Sequence, residues 1–140
     1  MLTPHPGEMA RLLEDGGNKP GGSPSRRELA EAFVERWPVT LLFKGSRTIV
    51  AERAKPLAFN TTGSPGMATG GMGDVLTGVC AAMLGHGLSA YDAARAGAWL
   101  CGRAAELAIT FGGESEESLS AGRLRDHLGA AFKELRARSY

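Results

Sequence analysis

The segment Asn60-Thr61-Thr62-Gly63-Ser64-Pro65-Gly66-Met67-Ala68-Thr69-Gly70-Gly71-Met72-Gly73-Asp74 opens directly onto a strongly apolar stretch that reads as a helix. A helix start presents unpaired N–H groups and about half a positive charge. Glycines just ahead of it let the backbone approach an anion and take positive φ. Gly70, Gly71 and Gly73 are therefore expected to form a nest of N–H donors for a phosphate, an arrangement suited to the charge that develops in phosphoryl transfer. Asp74 falls in the first helical turn, where a carboxylate beside such a nest can take a proton from a substrate hydroxyl. The plain alternative is an ordinary helix N-cap or first-turn aspartate. The loop is neither a Walker A sequence, since Lys and Ser/Thr do not follow the glycines, nor a GxGxxG fingerprint.

The elements that must hold this loop are readable around it. Thr3-Pro4-His5-Pro6-Gly7 is a proline-fixed turn feeding a helix over about 8–14, which Gly16-Gly17 should end; the stretch through Gly21-Gly22 reads as loop. Ser25 with Glu28 makes a capping box, and Leu29, Ala30, Phe33, Val34 and Trp37 share one face of the helix that follows. Pro38 stops that helix. Val39-Thr40-Leu41-Leu42-Phe43 suits a strand buried on both faces of a parallel sheet. Lys44-Gly45-Ser46-Arg47 is a turn into a strand over 48–51, and 57–60 a short third strand. Three helices are expected beyond the loop: one over 74–85, apolar nearly all round and hence central; one capped by Ser89 with a small stripe of Ala93, Gly97, Leu100, Cys101, Ala104 and Ala108; and one with Leu124, Leu128, Ala131, Phe132 and Leu135 on one side. The pattern is α/β, with only about three strands.

Composition bounds the partners. The 140 residues are 43% apolar, enough for one folded core. Sixteen basic against fifteen acidic side chains give a net charge of +1, without the basic excess of a nucleic-acid or anionic-membrane binder. A single nucleotide needs only local donors. The amino terminus lacks the pattern of a secretory signal, and the most apolar segment, 75–88, is short for a membrane span, so a soluble, cytoplasmic protein is expected. Cys80 and Cys101 form no CxxC pair and read as reduced, buried and structural. His86 and His127 read as structural or surface groups, and Met67 and Met72 as loop packing.

Three motifs, Thr3-Pro4-His5-Pro6-Gly7-Glu8, Lys44-Gly45-Ser46-Arg47-Thr48 and the run from Asn60 to Gly78, resemble in order and spacing those of the NAD(P)H-hydrate dehydratase family. The long glycine motif is the specific one, the histidine turn less so, and the lysine turn alone is weak. The resemblance implies a ribokinase-like three-layer α/β fold, of which this chain holds a part: about three strands plus flanking helices. It implies ADP- or ATP-dependent dehydration of hydrated NADH or NADPH, by phosphorylation of the hydrate hydroxyl and elimination of phosphate, with ADP the expected nucleotide and Mg2+ on its phosphates. By the same resemblance Asp74 is the base and contacts substrate, Gly70, Gly71 and Gly73 form the anion hole with Gly73 also near the nucleotide, Lys44, Gly45, Ser46, Arg47 and Thr48 bind the adenylate, and His5 contacts the hydrate. Structural readings compete: His5 between two prolines can fix a turn, and Lys44 can be an ordinary strand-end residue whose backbone does the binding. Met72 stands where a small or hydroxyl residue is expected. The resemblance covers roughly the second half of the family domain, so 1–140 reads as the carboxy-terminal portion of one domain, from a truncated gene, a mis-called start or a split protein. A homo-oligomer or a separate amino-terminal half is the expected partner, and the chain alone is expected to be a weak catalyst. Two further readings stand beside this one: a ribokinase-like small-molecule kinase, and an inactive nucleotide-binding module.

Overall fold

The computed structural model describes residues 1–14 and 24–137; the glycine pairs 16–17 and 21–22 lie outside the described residues. The chain divides into two compact units, Met1–Asn60 and Thr61 onward.

In the first unit, helix α1 spans Pro6–Glu14, two residues earlier than its apolar pattern indicates, because Pro6 is a good first helical residue and His5 caps it. Helix α2 spans Arg26–Arg36 and begins on the expected capping box, both halves of which are formed. Ala30, Phe33 and Val34 are buried, but Trp37 is 45% exposed: it closes the helix in extended conformation instead of extending its apolar face. Strands β1 (Leu41–Phe43), β2 (Ile49–Ala51) and β3 (Ala58–Phe59) follow.

The expectation of a parallel sheet is corrected. β1 pairs with β2 antiparallel, Leu42 opposite Val50, and β2 with β3 antiparallel, Val50 opposite Ala58. The reason is the short connection over 44–48, since a parallel return needs a dozen or more residues. The parallel neighbour lies on the other side of β1. Leu2 bridges Leu41 in parallel, the N–H of Leu42 donates to Leu2 O at 2.8 Å, and that of Lys44 to Pro4 O at 2.9 Å. β1 and β2 are nevertheless buried on both faces. Leu41, Phe43, Ile49 and Ala51 join Met9, Ala30, Phe33 and Val34 in one core cluster.

In the second unit, helix α3 (Met72–Gly85) and helix α4 (Ala90–Phe111) pack closely on each other. The small stripe expected on α4 is buried throughout. Gly97 is required there, since a Cβ would come within 2.5 Å of Cys80 Sγ. α3 is not buried all round as its composition implies. Met72, Leu76, Val79 and Cys80 are buried against the unit, while Gly78, Ala81, Ala82 and Leu84 are exposed. α4, with a smaller contribution from α5, covers one stripe. The last expected helix is two, α5 (Ala121–Asp126) and α6 (Leu128–Ala137), divided at His127. The N–H of His127 turns back to Leu124 O and its Nδ1 lies 2.9 Å from Arg123 O, which tightens the last turn and breaks the axis. Among the described residues no helix is long and apolar enough to cross a membrane.

Candidate functional site

The glycine loop is more ordered than its composition implies. Pro65–Met67 forms a single 3-10 turn, with Ser64 Oγ accepting from the N–H of Gly66. Thr62 donates its hydroxyl to Trp99 O at 3.0 Å, and Gly63, at φ 124, donates its N–H to Glu106 Oε1 at 2.8 Å. Glu106 is itself held by Arg103, which also forks onto both oxygens of Glu134 at 2.7 and 3.0 Å. Those carboxylates hold the Arg103 guanidinium above its usual pKa. α4 and α6 thus fix the entrance of the loop through a polar network partly shielded from water.

At its exit, Gly71 occupies the N-cap of α3 at φ 84, ψ −13, and no side chain caps the helix. The first of its N–H groups, that of Met72, reaches only Thr69 O, at 3.5 Å. A Cβ at Gly70 would meet nothing within 4 Å, so crowding does not require that glycine. Gly73 is half-buried and Asp74 exposed in the first turn. The loop thus brings Gly70, Gly71, Gly73 and Asp74 together at one helix start. Met72, expected as loop packing, is buried as the first helical residue, so its thioether anchors the helix start from inside.

The other two motifs meet within the first unit. His5 Nδ1 accepts from the N–H of Gly7 at 3.1 Å and of Glu8 at 3.3 Å, so the turn-fixing role is real. An accepting Nδ1 places the ring proton of the neutral form on Nε2. Glu8 returns the contact: its Oε2 accepts from the His5 backbone N–H at 2.7 Å, while Oε1 lies 3.6 Å from His5 Nε2. The same carboxylate sits 3.6 Å from Lys44 Nζ. Glu8 therefore joins the histidine turn to the lysine turn. The His5 N–H, ahead of the charges of Lys44 and His5, holds the Glu8 carboxyl below its ordinary pKa. Sequence reasoning gave Glu8 no role, although its spacing from His5 is that of a cap and its third helical residue.

The turn expected over 44–47 is formed, with Gly45 at φ 138 and Arg47 at φ 51; Thr48, expected as the first strand residue, lies outside β2 and its Oγ donates to Gly45 O at 3.1 Å. A cleft of about 420 Å³ also opens in this unit, but Arg27, Glu31, Glu52, Lys55, Leu57 and Phe59 line it, and none of the expected site residues does.

A helix start without a side-chain cap, closing a glycine-rich loop, is an arrangement able to accept an anion. Comparison with known proteins narrows the reading. The NAD(P)H-hydrate dehydratase family profile matches residues 1–122. The bifunctional NAD(P)H-hydrate repair enzyme of Moorella thermoacetica is 43% identical over 135 residues, 96% of this chain and 25% of that protein. The ADP-dependent (S)-NAD(P)H-hydrate dehydratase of Neisseria meningitidis is 36% identical over 138 residues, 99% of this chain and 44% of that protein. Among solved structures, an ADP/ATP-dependent NAD(P)H-hydrate dehydratase from Bacillus subtilis, co-crystallized with ATP and Mg2+, superposes with TM-score 0.81 at 30% identity, over 95% of this chain and 47% of that one. This chain belongs to the NAD(P)H-hydrate dehydratase family. It spans under half the length of each of these relatives.

Proposed function

We propose that this chain is the carboxy-terminal portion of a single ribokinase-like domain whose activity is ADP-dependent dehydration of NAD(P)H hydrate, in a cytoplasmic setting. The observation that carries the reading is the uncapped start of α3, with Gly71 in left-handed conformation and Asp74 one turn in. The named relatives, which include an ADP-dependent dehydratase, support it.

The nucleotide supplies the phosphoryl group. The N–H groups of Gly70, Gly71 and Gly73 would hold its oxygens as negative charge grows. Asp74 would accept the proton of the hydrate hydroxyl while that oxygen bonds to phosphorus and the bond to the nucleotide breaks. The hydroxyl, a poor leaving group, then departs as inorganic phosphate: its C–O bond breaks, the neighbouring ring carbon loses a proton to solvent, and the C=C bond of the reduced nicotinamide is regained. Lys44, Gly45, Ser46, Arg47 and Thr48 would bind the adenylate end, and His5 the hydrate. For His5 the binding role must coexist with its capping bonds through Nδ1, which leave Nε2, 3.6 Å from Glu8 Oε1, as the ring nitrogen that would turn to substrate. Magnesium would arrive with the nucleotide phosphates.

The test is product analysis. Hydrated NADH with ADP and the chain, fused to the amino-terminal half of the Neisseria relative, should yield near-ultraviolet absorbance and inorganic phosphate in equal amounts. A stable phosphorylated product instead would indicate a small-molecule kinase. The exposure of Asp74 favours one second reading, a nucleotide-binding module without turnover. Nucleotide binding in calorimetry with no product from the fusion would support that one.

A further inference from the structure

Arg26, the first residue of α2, is half-buried, and its guanidinium reaches across to the lysine turn. Nη1 donates to Ser46 O at 2.5 Å, and Nη2 donates to Phe43 O at 2.9 Å and Lys44 O at 3.0 Å. The guanidinium carbon lies over the Phe43 ring, 4.7 Å from its centre, a cation–π contact that adds to the hydrogen bonds. The turn is shaped around it in return: a Cβ on Gly45 would lie 2.9 Å from Nη2. Three backbone carbonyls on one planar fork fix the turn's path in a way a lysine's point charge cannot reproduce.

The arrangement is costly for stability alone. Among the described residues no carboxylate pairs with Arg26, its buried Nε has no acceptor, and burial pulls its pKa below the ordinary value. A buried unsatisfied donor on a guanidinium without an anionic partner is found more readily where function asks for one backbone geometry.

We infer that Arg26 is a positioning residue for nucleotide binding: it holds the carbonyls of residues 43, 44 and 46 so that the Lys44–Thr48 turn is preformed for the adenylate. The inference rests on the proposed nucleotide role of that turn. It needs no contact between Arg26 and the nucleotide.

The test compares the whole chain with its Arg26→Lys, Arg26→Met and Thr48→Ala variants, by calorimetric titration of ADP and of NADH hydrate and by amide hydrogen exchange. Both Arg26 variants should speed exchange selectively at 44–48 and weaken ADP binding about tenfold or more, the loss expected for charged hydrogen bonds. Hydrate binding should be unchanged, a split that general destabilisation would not give. Should Arg26→Met fail to fold, Arg26→Lys carries the comparison. Unchanged exchange at 44–48, or ADP affinity within about twofold of wild type while Thr48→Ala weakens it, overturns the positioning role alone. If the wild type binds no ADP, or Thr48→Ala leaves ADP affinity intact, the nucleotide reading itself fails and the role of Arg26 falls with it.

Discussion

Glu8 shows how a single side chain can tie together motifs far apart in sequence. Its carboxylate takes the His5 N–H at 2.7 Å and faces Lys44 Nζ at 3.6 Å. These partners stabilise the charged form, so its folded pKa lies below the unfolded value of 4.5. The sign follows: the stabilisation is complete above the unfolded value and is lost as pH falls through the depressed one. Glu8→Gln should therefore flatten the acid limb of the unfolding profile below about pH 4.5, measured by circular dichroism, and leave the profile above pH 6 parallel to wild type. The two readings of His5 separate by substitution. His5→Ala should lose about 1 kcal/mol of stability through the missing cap, whereas His5→Asn, a good cap, should keep it and still bind hydrate more weakly. A hydrate affinity unchanged in His5→Asn would leave His5 with the turn alone.

The elements follow the same logic of small residues and fixed polar contacts. Gly97→Ala would set a methyl within 2.5 Å of Cys80 Sγ, and should cost about 1–3 kcal/mol in denaturant unfolding as α3 and α4 are forced apart. The interface itself keeps its thiols inert. Burial pushes Cys80 up to about 11 and Cys101 up to about 12, so both are protonated at neutral pH. Thiol reagents at pH 8 should label neither until denaturant is added; prompt labelling would contradict that packing. Most elements could be read from sequence because their signals are local: the Ser25–Glu28 box, the Ser89 cap, the stripe on α4. The misreadings were of non-local facts. The apolar run of β1 gives burial on both faces but not the direction of its neighbour, which the short 44–48 connection decides. The composition of α3 cannot tell which face is covered within this chain. A helical period continues through His127, yet its backbone and ring contacts divide the helix there. At the site, glycines and Asp74 stand out by composition, while Arg26, Glu106 and Arg103 carry no sequence signal, since their meaning is set by partners 17 to 43 residues away.

For the whole molecule, the chain spans 47% of the Bacillus subtilis structure it resembles, and Asp74 together with the outer face of α3 is exposed. The proposed base thus lacks the dry surroundings that make such a site effective. Alone, the chain should recover NADH from its hydrate only feebly with ADP or ATP, and the fusion described above should be much faster; robust turnover by the isolated chain would show that these residues suffice. The direct test of the central claim is an ADP titration of the 15N-labelled chain followed by backbone amide shifts. The amides of Gly70, Gly71 and Gly73 at the start of α3, together with those of 44–48, should move in saturable fashion. Shifts confined to other residues, or none at saturating ADP, would contradict it.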